Sequence, residues 1–125
     1  MAKNRPKNLD LRTIQLPLPG VVSILHRISG ALLFLFGIPL LLLVLQQALH
    51  SRESFESLRA ILTHPLGKLV LLGFAWSFWH HLCAGVRFLL LDIHKGVQID
   101  AARLSSRWVM GVSLFLTLLT GVALW

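Results

Sequence analysis

Two short stretches hold most of the residues able to do chemistry. The first, SILHRISG, occupies residues 23–30; the second, HHLCAGVRFLLLD, occupies residues 80–92. In the second, His81, Gly85, Phe88 and Asp92 are spaced by four, three and four, which puts them on one helical face. His81 stands 11 residues before Asp92, so roughly 16 Å along the helix axis from the end of the run. A neutral imidazole at that depth can ligate a metal or haem iron. It can equally make an interhelical hydrogen bond with no cofactor. Gly85, one turn on, leaves room for a flat group or a neighbouring helix. His80 points about 100° away from His81 and is expected to hydrogen-bond to a neighbouring helix. Arg87 can snorkel to the interface or pair with an acidic group. Asp92 can accept from Arg87 or a loop residue, relay protons, or simply end the helix in solvent.

In the first stretch Ser23 and Arg27 are four apart, as are His26 and Gly30. Together they cover one side of the opening turns of a helix. A helix N-terminus is already electropositive, so a cation there is better placed with an anionic partner. Arg27 either meets such an anion or reaches lipid phosphates.

The elements that carry these residues follow from composition. Of 125 residues 55% are hydrophobic and 14% charged, and the mean hydropathy is +0.73. Apolar runs of about 18 residues or more mark helices that cross a bilayer. Three occur, at about 20–48, 65–92 and 107–125. The expected fold is all-α: one domain, an integral membrane bundle of three transmembrane helices, preceded by an irregular tail over 1–19. Pro39 is expected to kink the first span, and residues 49–64 to form a short polar loop with at most an interfacial turn. Trp108 and Trp125 bracket the third span in the manner of an aromatic belt. No loop is long enough to fold into a catalytic domain, so chemistry is left to the polar residues in or near the membrane.

The net charge of +7 does not point to nucleic acid, because the basic residues flank apolar segments and form no stripe with interleaved aromatics. Lys3, Arg5, Lys7 and Arg12 precede the first span, and Lys95, Arg103 and Arg107 fall between the second and third. The positive-inside rule puts both groups on the cytoplasmic side, the N-terminus with them. Cys83 is the only cysteine, which excludes an intrachain disulfide and a C-x-x-C-H haem attachment. No small-residue cleavage site follows the first apolar run, so a cleaved signal peptide is not expected.

RPKNLDLRTI, SILHRISG and HHLCAGVRFLLLD, in that order and at that spacing, resemble the cytochrome b membrane-anchor subunits of succinate dehydrogenase, the larger of two anchors in respiratory complex II. The resemblance covers the whole chain. It implies that His81, with glycine at +4 and arginine at +6, is an axial ligand of a haem b, the second ligand coming from a smaller anchor subunit. It implies that His26 and Arg27 lie near the haem propionates, that Ser23 and Arg27 line a quinone site, and that Arg87 and Asp92 have proton or structural roles. The family usually has histidine where this chain has Phe88, which leaves His26 and Arg27 to carry more of the propionate charge. The implied partners are a flavoprotein subunit, an iron–sulfur subunit, the smaller anchor, a quinone and lipid. The implied location is a bacterial inner membrane rather than a mitochondrial one. The chain has no dinucleotide-binding fingerprint and no cysteine cluster, so the dehydrogenation itself falls to other subunits. A fumarate reductase anchor, or a membrane scaffold without redox function, are the alternatives.

Overall fold

The computed structural model describes Asp10 and residues 12–125. Lys3, Arg5 and Lys7, and most of the RPKNLDLRTI motif, lie outside the described residues. Five α-helices follow in order: α1 (Leu18–Leu32), α2 (Ile38–His50), α3 (Arg52–Thr63), α4 (Pro65–Asp92) and α5 (Ile99–Leu124). A π-helical turn, Leu33–Gly37, joins α1 to α2, and the two run on as one apolar helix, Leu18–His50. With α4 and α5 this makes three helices long and apolar enough to cross a membrane.

The core is inverted relative to that of a water-soluble protein. Among the described residues only Val22, Ala84 and Val109 are buried hydrophobics, one from each span, with Cys83, Phe88 and Met110 packed against them. The other buried side chains are Ser29, Ser77, His80, Arg87, Ser106, Ser113 and Thr117. Large apolar side chains such as Phe34, Leu41, Leu118 and Val122 face outward. In lipid, outward apolar surface costs nothing, and helices associate through small residues that let backbones approach. The buried hydroxyls are satisfied within their own helices: Ser77 Oγ donates to the Gly73 carbonyl at 2.9 Å, Ser106 Oγ to Ala102 at 2.7 Å and Thr117 Oγ1 to Ser113 at 2.7 Å. They therefore pack as small residues without leaving a polar group unpaired. Three bonds tie α4 to α5: Trp79 Nε1 to Thr120 Oγ1 at 2.9 Å, and Arg87 Nε to Ser105 Oγ at 3.0 Å and Nη2 to the Ala102 carbonyl at 3.4 Å.

Three local features differ from the sequence expectations. Pro39 lacks the N–H that would bond four residues back, and the preceding π turn absorbs the defect: the Ile38 N–H reaches the Leu33 carbonyl, five back. Beyond this turn α2 diverges from α4 and leaves an apolar cleft of about 550 Å³ lined by Leu41, Phe74, Phe78 and Trp79. Second, the expected loop over 49–64 contains the twelve-residue α3. Ser51 and Ser54 cap it reciprocally, Ser54 standing where a capping box more often has Glu or Gln. The chain then turns so tightly into α4 that a Cβ on Gly67 would collide with the Ile61 carbonyl oxygen. Third, α5 starts at Ile99 rather than near 107, because hydropathy marks the length buried in lipid and the helix continues beyond it. The α4 terminus is a Schellman turn, with Lys95 N–H bonded to Leu90 O, His94 N–H to Leu91 O, and His94 left-handed at φ 60°.

Candidate functional site

α1 and α4 cross where their histidines meet. The His26 and His81 rings stack, with centroids 4.2 Å apart and planes within 8°. Each helix makes room for the other's ring with a glycine. A Cβ on Gly30 of α1 would lie 2.7 Å from His81 Cε1, closer than real side chains come, and one on Gly85 of α4 would lie 3.6 Å from His26 Nε2. The two i, i+4 pairs noted in the sequence, His26 with Gly30 and His81 with Gly85, are thus halves of one reciprocal contact.

His81 Nδ1 lies 3.1 Å from the His26 backbone carbonyl and 3.4 Å from Ser29 Oγ. A carbonyl oxygen only accepts, so in the neutral ring the proton sits on Nδ1 and the lone pair on Nε2. Ser29 Oγ donates to the same carbonyl at 3.0 Å. Among the described residues no group bonds Nε2. This is the second-shell arrangement found behind metal-bound histidines: a backbone acceptor fixes tautomer and ring orientation, and the other nitrogen is free to ligate. The stacked His26 ring covers a face of His81, not its Nε2 edge.

Ser29 was missed by sequence reasoning. It is fully buried and sits three residues after His26, so it shares the inner face of α1. That spacing was the available signal. Phe88 packs on His26 with ring centroids 5.0 Å apart, an apolar lid on the side where a histidine would have been polar.

The other sequence candidates lie around this centre. In helical projection Gly30 and Ser23 fall between His26 and Arg27, the four spanning an arc of about 100°. Ser23 is half-buried and Arg27 exposed, and Arg27 makes no hydrogen bond or ion pair with a described residue. Asp92 is exposed at the end of α4 and is not brought to the histidines. Arg87 neither snorkels nor pairs with an acid. It is buried at 6% exposure, and besides Ser105 it donates from Nη2 to the Ala102 carbonyl at 3.4 Å. His80 corrects an expectation. It is fully buried, but neither ring nitrogen has a hydrogen bond, the nearby Val22 backbone included. It is held instead by stacking on Trp76 of its own helix, with centroids 5.1 Å apart. Trp76 lies one turn before it, and the large aromatic face fills the space a polar partner would need.

Comparison with known proteins identifies the family. The family model described as succinate dehydrogenase/fumarate reductase transmembrane subunit matches residues 1–120. The succinate dehydrogenase cytochrome b556 subunit of Coxiella burnetii is 37% identical over 129 aligned positions, covering 100% of both chains. That of Paracoccus denitrificans is 36% identical over 117 residues, covering 94% of this chain and 89% of the relative. The succinate dehydrogenase cytochrome b560 subunit of Reclinomonas americana is 29% identical over 126 residues. With an all-α membrane bundle and a match over nearly its whole length, the chain belongs to the succinate dehydrogenase/fumarate reductase transmembrane subunit family and serves that enzyme as a membrane-anchor subunit.

Proposed function

We propose that this chain is the cytochrome b anchor of a succinate:quinone oxidoreductase, that it holds a haem b together with a second, smaller anchor subunit, and that it forms part of the quinone site. The observation that carries the reading is His81, with Nδ1 committed to the His26 carbonyl and Nε2 unbonded. The donor set fits a haem. His81 Nε2 would supply one ligand to the iron, and Phe88, packed on His26, would keep that side apolar. When bound, haem b supplies a one-electron carrier, and filling both axial positions with histidine disfavours oxygen chemistry.

The remaining residues supply charge and hydrogen bonds. His26 and Arg27 would face the haem propionates, the guanidinium offering a forked donor to a carboxylate. Ser23 and Arg27 would donate to a quinone carbonyl. Reduction of a quinone takes two electrons and two protons, so a site at the membrane edge, where water reaches, suits these two residues. Asp92, exposed at the same end of α4, is available to pass protons or to contact a neighbouring subunit. The flavoprotein and iron–sulfur subunits would dock on the cytoplasmic face, where the basic residues gather. The relatives in Paracoccus and Coxiella support a bacterial inner membrane.

Co-expression with the partner subunits tests the whole reading. The purified complex is expected to reduce quinone with succinate and to show a low-spin haem b spectrum. A complex that assembles and turns over without haem would remove the ligand assignments. The glycines give a finer test. Gly30→Ala places a methyl against His81 Cε1 and must displace the ring, so about a tenfold loss of haem retention is expected, within the range for disturbed outer-shell contacts. Gly85→Ala makes only ordinary contact with His26 and is expected to retain its haem. Equal effects of the two, read by haem content per complex, would contradict the reciprocal packing.

A further inference from the structure

A second cavity, of about 320 Å³, opens between the C-terminal half of α4 and the first turns of α5. It belongs to a different side of the bundle from the histidines, since Arg87 lies about 120° around α4 from His81. Its walls are apolar except for Arg87, Lys95 and Ser105, and Trp108 stands at its edge. Arg87 is 94% buried by complement of its 6% exposure, and its three nitrogens are unequally satisfied. Nε and Nη2 bond Ser105 and Ala102, while Nη1 is buried with no acceptor. No described carboxylate pairs with the guanidinium. A buried cation without an anion is costly in a membrane protein, and this one lines a cavity shared with a second cation.

We propose that this cleft binds an anionic phospholipid of the cytoplasmic leaflet. The phosphate accepts from Lys95 Nζ and lies against the positive charge of the Arg87 guanidinium in the cleft wall. Trp108, 65% exposed, sits at headgroup depth, as indoles do at membrane interfaces. The acyl chain runs over Val86 and Leu90, both exposed. Charge and location agree on this occupant. The cleft lies at the end of the bundle that carries Arg103 and Arg107 as well, the end placed in the cytoplasm by the positive-inside rule, and basic pockets between helices on that side select anionic headgroups. A free phosphate would meet the two cations but leave the apolar walls uncovered.

The test uses the assembled complex with wild-type, Lys95→Gln and Arg87→Gln chains. Native mass spectrometry counts the bound phosphatidylglycerol, and thermal unfolding is followed on adding phosphatidylglycerol, phosphatidylcholine or inorganic phosphate. Wild type is expected to bind one more phosphatidylglycerol than either variant. Lys95→Gln, exposed and not expected to disturb assembly, is expected to hold it about fivefold more weakly, the loss of one cation near the surface. Phosphatidylglycerol alone is expected to raise the unfolding temperature of wild type. Equal lipid counts in wild type and Lys95→Gln would overturn the proposal. So would stabilisation by phosphatidylcholine to the same extent, or by inorganic phosphate alone, which would assign the site to a free anion. Failure of Arg87→Gln to assemble would leave Lys95→Gln to decide.

Discussion

Replacing His81 with alanine is expected to abolish the low-spin haem spectrum of the assembled complex, with at least about a tenfold fall in haem retained. Alanine has no donor to offer the iron. The only other imidazole beside it, on His26, stacks on the His81 ring face at 4.2 Å and is carried by a different helix, so it does not inherit the position of Nε2. His80→Ala is the control. His80 is adjacent in sequence, but it stacks on Trp76 and points elsewhere, so its loss is expected to leave the spectrum unchanged. Reduced-minus-oxidised difference spectra of the two variants, normalised to protein, separate the neighbours. An unaltered spectrum in His81→Ala would sink the ligand assignment.

Arg27→Ala is expected to lower kcat/KM for quinone by about 10- to 100-fold, while succinate oxidation with a soluble artificial acceptor stays near wild type. A hydrogen bond from a charged donor contributes about 1.5–3 kcal/mol, and about 1.4 kcal/mol is a factor of ten. On the proposed function succinate oxidation falls to the soluble subunits, so it would not depend on this side chain. Arg27 is exposed and makes no hydrogen bond or ion pair with a described residue, so its removal breaks no internal contact of the chain. Arg27→Lys keeps the charge but loses the planar fork and is expected to recover only part of the activity. Equal loss of both activities in Arg27→Ala would make its role structural.

The spans were legible because bilayer thickness sets the length of an apolar run, and that length is written directly in residues 20–48 and 65–92. Half of the site was legible too. The i, i+4 pairing of His26 with Gly30 and of His81 with Gly85 could be read from spacing. That each glycine serves the opposite helix's histidine could not, because it depends on how α1 crosses α4. Ser29 was passed over because a lone serine in an apolar run carries no distinctive pattern. Its role appears only when the His26 carbonyl and His81 Nδ1 converge on it. For Arg87, depth near the membrane edge suggested an outward reach. Ser105 and the Ala102 carbonyl, 15–18 residues away on another helix, draw it inward instead. α3 escaped notice because its cap uses Ser54 and its charges made it read as a loop.

The central claim is that His81 Nε2 is the ligating atom, with Nδ1 committed to the His26 carbonyl. Imidazole rescue of a His81→Gly complex tests it most directly. Before addition, any haem retained is expected to be high-spin with one axial position open. Free imidazole, entering the space vacated beside Gly30, is expected to restore the low-spin spectrum in a saturable titration. A His81→Gly complex that is already low-spin before imidazole is added would contradict the account.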